Sequence, residues 1–188
     1  PPIKGLNTVP YLTSQQALRL TKQPKSLTII GGGIIAAELA HFFSSLGTKV
    51  TIIQRNDVLI PPVDRELAEK FTKIFSKKCK VILNATATKV EKKGNSIVTY
   101  ITPMKGKEQK VMNEQLLLAV GRVPNSDLLD VKKAGVKINK KGYIKANQYM
   151  ETSTKNVWAL GDVAGIYLFK HSANWEAQYA YHNAFTRK

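Results

Sequence analysis

The chain predicts an α/β fold: a parallel sheet with helices, and an antiparallel β-meander inserted into it. Three observations predict it. Leu27–Ile30 and Val50–Ile53 are short, largely apolar runs of the kind that form parallel strands buried on both faces, and a helical stretch joins them. Thr88–Glu91, Ile97–Thr102 and Glu108–Met112 are short strand-like runs separated by Gly94-Asn95 and Lys105-Gly106, the spacing of hairpins. Leu116–Val120 (LLLAV) then returns to a buried strand.

Taken in order, Pro1 to Thr13 is punctuated by prolines and reads as extended, and Ser14 to Leu20 reads as a short helix ending before Pro24. After the first strand, a helix with the apolar stripe Ile35, Leu39, Phe42 and Leu46 runs to Gly47, a suitable C′ stop. Pro61-Pro62 break the chain. Asp64 then suits the N-cap of a helix reaching Lys78, with Leu67, Phe71, Ile74 and Phe75 inward. Val81–Leu83 resume the parallel sheet ahead of the meander. Beyond Gly121-Arg122, Pro124–Val131 reads as a turn and a short helix, and short strands follow around Gly135 and Gly142. Asn156–Leu160 reads as a strand ending at Gly161-Asp162, and Ser172–Phe185 as a helix with Ala173, Ala177 and Ala180.

Composition bounds the function. With 188 residues, 43% hydrophobic and 22% charged, the chain can bury a sizeable core as one large domain or two small ones. The longest apolar run, Leu27–Ala40, is interrupted by three glycines and Glu38, so no membrane association is expected. The net charge of +16 raises the question of nucleic acid, but the basic residues are mostly scattered lysines without interleaved aromatics. Nucleic acid is therefore not expected as a partner. The single Cys79 excludes an internal disulfide and a C-x-x-C pair, and no metal site is expected. Lys78 and Lys80 flank it and could lower its pKa, although a structural cysteine is the simpler reading. A cytoplasmic setting is expected. An opening Pro1 and a patternless first segment suggest a piece of a longer protein.

The chemistry starts at the turn after the first strand. Gly31, Gly33 and Ala36 fit G-x-G-x-x-G/A at a strand-to-helix junction, the fingerprint of a Rossmann-like dinucleotide site. Glycine at 31 permits the tight turn, glycine at 33 admits a pyrophosphate, and Ala36 allows close helix packing. Gly32, Ile34 and Ile35 complete the expected cradle, whose amides and helix dipole face the phosphate.

Four stretches in order carry a resemblance to a known family: GGGIIAAE (31–38), LLLAVGRVPN (116–125), NVWALGD (156–162) and LFKHSANWEA (168–177). The chain resembles the class I pyridine nucleotide-disulfide oxidoreductases, the group of dihydrolipoyl dehydrogenase, mercuric reductase and glutathione reductase. By that resemblance, residues 1–13 end a first FAD-domain segment, 14–121 form the NAD(P)-binding domain, and 122–188 form the second FAD-domain segment. The family's redox-active cysteine pair would precede Pro1. Its dimerisation domain, with a His-Glu acid/base pair, would follow Lys188, so no catalytic residue is expected in this stretch.

The implied activity is that of an FAD-dependent NAD(P)H:disulfide oxidoreductase, dihydrolipoyl dehydrogenase-like, moving hydride between nicotinamide and flavin. The alternatives are a mercuric or other low-molecular-weight disulfide reductase using NADPH, or a nucleotide-binding fragment without activity of its own. Implied partners are the pyridine nucleotide, a small disulfide substrate and a second copy in a homodimer.

The resemblance also assigns residues. Asp162, expected at a strand end, would accept a hydrogen bond from a ribityl hydroxyl of FAD. Leu168, Phe169, Lys170 and His171 would pass close to the flavin, with His171 positional. Glu38 would lie towards the nicotinamide, and Val90 and Gly121 would touch the pyridine nucleotide. His41 is expected to be structural. At the end of the second strand, where NAD enzymes place an acid, this chain has Gln54 followed by Arg55. A guanidinium pairs with a 2′-phosphate, so NADP is favoured over NAD.

Overall fold

A computed structural model describes residues 1–186, which divide into two compact units, Pro1–Gly121 and a second beginning at Arg122. In the first unit, β1 (Ser26–Ile30), β2 (Lys49–Ile53), β3 (Lys80–Ile82) and a later strand, β7 (Gln115–Leu118), make a parallel sheet ordered β3-β2-β1-β7. The register aligns Ile30 with Ile53 and Leu118, so the sheet's carboxyl edge lies where β1 runs into the glycine turn. The meander is a separate antiparallel sheet ordered β4 (Ala85–Lys93), β5 (Ser96–Pro103) and β6 (Gln109–Asn113), with an irregularity between Ala87 and Lys89.

Strand alternation divides the core in two. Leu27 and Ile29 face helices α2 (Ile34–Ser45) and α3 (Arg65–Phe75), packing with Ala36, Leu39, Ala40, Phe43 and Phe75. Ile30, Ile53 and Leu116 face the other way, onto Ala85, Ala87, Val90, Ile97 and Ile101. Thr28, on that same face, donates its hydroxyl to Asn113 Oδ1 at 2.6 Å, which satisfies a buried polar pair. The opening segment belongs to this side. Ile3, Leu6 and Val9 are buried in the second cluster, and Leu12 exchanges backbone hydrogen bonds with Leu116 and Leu118.

Both long helices of this unit are rotated from their predicted faces. In α2, Phe42 and Leu46 are half exposed, at 50% and 53%, while Ala36, Ala40 and Phe43 are buried. In α3, Leu67 and Ile74 are exposed, while Ala68, Thr72 and Phe75 face in. In each case the buried face lies one residue, about 100°, from the expected stripe. Small side chains let the helix axis approach the sheet, and that close approach outweighs burying the larger residues. α3 has the Asp64 cap, whose carboxylate accepts from the Glu66 and Leu67 amides, but it ends at Phe75 rather than Lys78. The first helix, α1 (Ser14–Ala17), is a single turn and stops short of Leu20.

The second unit is mostly turns. Pro124–Val131 contains no helix: Asp127 Oδ1 accepts from the Leu128 amide, and Asp130 has φ of 47°, which interrupts helical backbone. Asn156–Leu160 is not a strand either. It contributes one antiparallel bridge, Glu151 to Trp158, and Asn156 itself is left-handed at φ 62°. Val136, Ile144 and Ala159 form a small core, and α4 (Lys170–Phe185) starts two residues earlier than expected. Of its alanines only Ala180 is buried, while Ala177 is exposed. No helix among the described residues is long and apolar enough to cross a membrane.

Candidate functional site

In the first unit the site is built at the end of β1. The Gly31 amide still donates to Ile53 O at 2.9 Å, so the turn starts as a continuation of the ladder. Gly31 has φ of +108°, and a Cβ there would stand 2.3 Å from the Ala119 carbonyl oxygen. Only glycine fits. Gly32 is packed differently: a Cβ would come within 2.9 Å of the Gln54 side chain. At Gly33 nothing lies within 4 Å of a Cβ, so this glycine faces open space.

Gly33 is the N-cap of α2 and has no side-chain cap. The first helical bond is Ala37 N–H to Gly33 O, leaving the amides of Gly33, Ile34, Ile35 and Ala36 without an acceptor among the described residues. A twelve-residue helix therefore points free donors and its positive dipole end at an open glycine. This arrangement fits a pyrophosphate. Ala36 is fully buried against the sheet, while Glu38 lies on the exposed side of the helix.

At the end of β2 the two specificity candidates part company. Gln54 is only 6% exposed. Its Nε2 donates to Val58 O at 3.3 Å, and its Oε1 accepts from the Arg55 amide at 2.9 Å. The carboxamide is turned inward against the glycine turn, not presented to a ribose. Arg55 is exposed, and its guanidinium has no partner among the described residues. Nearby, Asp57 is taken by Arg65, whose Nη1 and Nη2 donate to its two oxygens at 3.0 and 2.7 Å. That fork holds the Asp57 carboxyl below its ordinary range.

Val90 is placed in the interior, 1% exposed, with its amide donating to Lys4 O at 2.8 Å. This placement lends no support to a nucleotide contact by its side chain. Gly121 is exposed with φ of +140° and open space at its Cβ position. Cys79 is buried, and burial pushes its thiol up to about 11 despite the opposing pull of Lys78. Lys78 does pull the thiol down, but burial outweighs it, in keeping with the structural reading of this cysteine. His41 is exposed, with Nδ1 2.9 Å from Lys78 Nζ. Among the described residues no group of three His, Cys, Asp or Glu is placed to hold a metal.

In the second unit, Asp162 stands in a 3-10 turn, Gly161–Val163, rather than at a strand's edge. It is exposed. Its Oδ2 accepts from Arg122 Nη1 at 2.9 Å, and Oδ1 has no partner among the described residues. The same guanidinium donates through Nη2 to Leu168 O at 2.7 Å, so Arg122 joins two of the expected flavin-site residues. That link was not foreseen, since the Gly121-Arg122 motif marks only a chain crossing in sequence. Phe169 is the N-cap of α4, and Lys170 and His171 are exposed in its first turn. An acceptor facing outward beside a fixed guanidinium fits a polyol hydroxyl.

Comparisons with known proteins identify the family. Residues 1–183 match the pyridine nucleotide-disulphide oxidoreductase family. Mercuric reductase of Staphylococcus aureus is 40% identical over 185 residues, covering 98% of this chain and 34% of that protein. Mycothione reductase of Mycobacterium tuberculosis is 38% identical over 184 residues, covering 97% of this chain and 39% of that protein. Dihydrolipoyl dehydrogenase of Buchnera aphidicola subsp. Schizaphis graminum is 37% identical over 168 residues, covering 89% and 35%. The solved structure of the HOCl-induced flavoprotein disulfide reductase RclA of Escherichia coli superposes with a TM-score of 0.87 at 28% identity, over all of this chain and 42% of that one. The chain thus spans little more than a third of the length of the curated relatives it matches. With the glycine turn, the inserted meander and a match over 183 of its residues, the chain belongs to the pyridine nucleotide-disulphide oxidoreductase family.

Proposed function

We propose that the chain is the central portion of an FAD-dependent NAD(P)H:disulfide oxidoreductase, with the pyridine nucleotide seated on the Gly31–Ala36 turn. The observation that carries this is the row of acceptor-free amides from Gly33 to Ala36 facing the open side of Gly33. When bound, the nicotinamide and flavin supply the hydride chemistry. The chain's own residues bind and orient. Gly33 to Ala36 hold the pyrophosphate, with Gly121 near the nucleotide and Glu38 on the exposed side of α2. Asp162 accepts from the flavin's ribityl chain, and Leu168 to His171 line its approach.

We assign 14–121 to the NAD(P) domain, and 1–13 and 122 onward to the FAD domain. On α4, Trp175, Tyr179, Tyr181 and Phe185 are 59–76% exposed. A complete FAD domain and a homodimer would cover such a surface, which supports a longer enzyme. NADPH is the preferred nucleotide, because Arg55 presents an unpaired guanidinium where an acid would repel a 2′-phosphate. The substrate is a small disulfide, as for dihydrolipoyl dehydrogenase and mycothione reductase. Mercuric reductase is the second reading, favoured by 40% identity over 98% of this chain. The complete protein is expected to purify with a flavin spectrum that NADPH bleaches. A colourless protein that binds no added FAD refutes the proposal.

A further inference from the structure

Glu176 is an acidic side chain in the middle of α4 that is only 7% exposed. Its Oε2 accepts from the Gly161 amide at 2.5 Å, while Oε1 is buried with no partner among the described residues. A carboxylate in such a place is costly unless its bonds repay the desolvation, so its retained contact locates what it does. That contact is with the residue immediately before Asp162. Gly161 is itself left-handed, at φ +68°, and a Cβ there would meet Ala173 Cβ at 3.4 Å. Ala173 and Glu176 are three residues apart and share one face of α4. The helix therefore seats the Gly161–Val163 turn at two points, by a small residue and by an acceptor. On its outer side the turn is held by Arg122, which binds Asp162 Oδ2 and leaves Oδ1 facing out.

We infer that Glu176 is a positioning residue for the flavin: by anchoring the Gly161 amide it fixes the turn that aims Asp162 at a ribityl hydroxyl. The inference rests on the proposed flavin role of Asp162. It assigns to α4 a function beyond packing, since the buried acid acts through Asp162 and touches no cofactor.

The test measures FAD dissociation constants in the complete flavoprotein for the wild type, E176A, E176Q, D162A and the E176A/D162A double variant. Removing the acceptor is expected to weaken FAD about 10-fold in E176A, the scale of one lost hydrogen bond to a charged group. E176Q keeps an amide oxygen for Gly161 and is expected within about 3-fold of wild type. Because Glu176 acts through Asp162, the double variant should bind FAD no more weakly than D162A alone, whereas a merely structural role would make the two losses multiply. The inference is overturned if E176A binds FAD like wild type, if E176Q is as weak as E176A, or if the losses multiply. Wild-type protein without any FAD affinity overturns the proposed function as well, whereas FAD-binding wild type with any of those three results sinks Glu176 alone.

Discussion

Gln54 lies against Gly32, close enough that a Cβ on the glycine would meet the Gln54 Cγ, Cδ and Nε2 at 2.9 Å. The residue just after β2 thus packs against the glycine turn, with its carboxamide spent on Val58 and Arg55 backbone. Under the proposed function, selection of the nucleotide's ribose would pass to Arg55.

The three turn glycines should separate stability from binding. G31A must accommodate φ +108° and a fixed backbone oxygen at 2.3 Å, and should lose about 2–5 kcal/mol in urea denaturation. G32A presses on a flexible side chain and should cost about 1–3 kcal/mol. G33A meets nothing within 4 Å, and Gly33 has φ −80°, so stability should hold within about 1 kcal/mol. Its methyl would enter the space over the free amides, and NADPH affinity should fall at least about 10-fold. Equal nucleotide affinity in G33A and wild type would count against the site.

R55A should weaken NADPH about 10- to 100-fold, the scale of a charge-assisted pair with phosphate, and move NADH less than about 3-fold. Isothermal titration with each nucleotide checks this. An unchanged NADPH/NADH ratio would remove the 2′-phosphate assignment.

Thr72 should behave as a buried tie between α3 and the loop above it. Its hydroxyl donates to Ala68 O at 2.7 Å and accepts from the Leu59 amide at 2.9 Å. T72V orphans that amide and should cost about 1–3 kcal/mol, with faster Leu59 hydrogen exchange, while T72S keeps both bonds. The idea fails if valine and serine are equally stable.

Cys79 should be inert to thiol reagents in the native protein. With the thiol pushed up to about 11, its thiolate fraction at pH 8 is about 0.1%. The folded state holds this proton more tightly than the unfolded chain. Its contribution to stability is therefore complete below about pH 9 and is lost as pH rises towards 11. Reagent kinetics at pH 8, native against urea-unfolded, provide the check. Similar rates in the two states would contradict the burial of this thiol.

Much of the fold, and the glycine turn of the candidate site, was legible because it depends on neighbours in the chain. The runs Leu27–Ile30 and Val50–Ile53, the cap at Asp64 and the hairpin break at Gly94 are local signals. The helix faces were misjudged at Phe42, Leu46, Leu67 and Ile74 because hydrophobicity alone favours burying the largest residues. Close packing on the sheet selected the alanines beside them. The strand expected at Asn156–Leu160 failed for a related reason: an apolar run does not reveal that Asn156 takes φ 62°.

By itself the sequence determined the parallel sheet with its meander, the glycine turn, and the family, since strand period, turn chemistry and motif spacing are all written along the chain. Only the tertiary structure decided that Gln54 turns inward while Arg55 turns out, that Arg122 clamps Asp162 and Leu168, and that Glu176 lies buried behind Gly161. Those partners are separated by up to 46 residues, and which of them meet depends on desolvation and close packing among residues far apart in the chain.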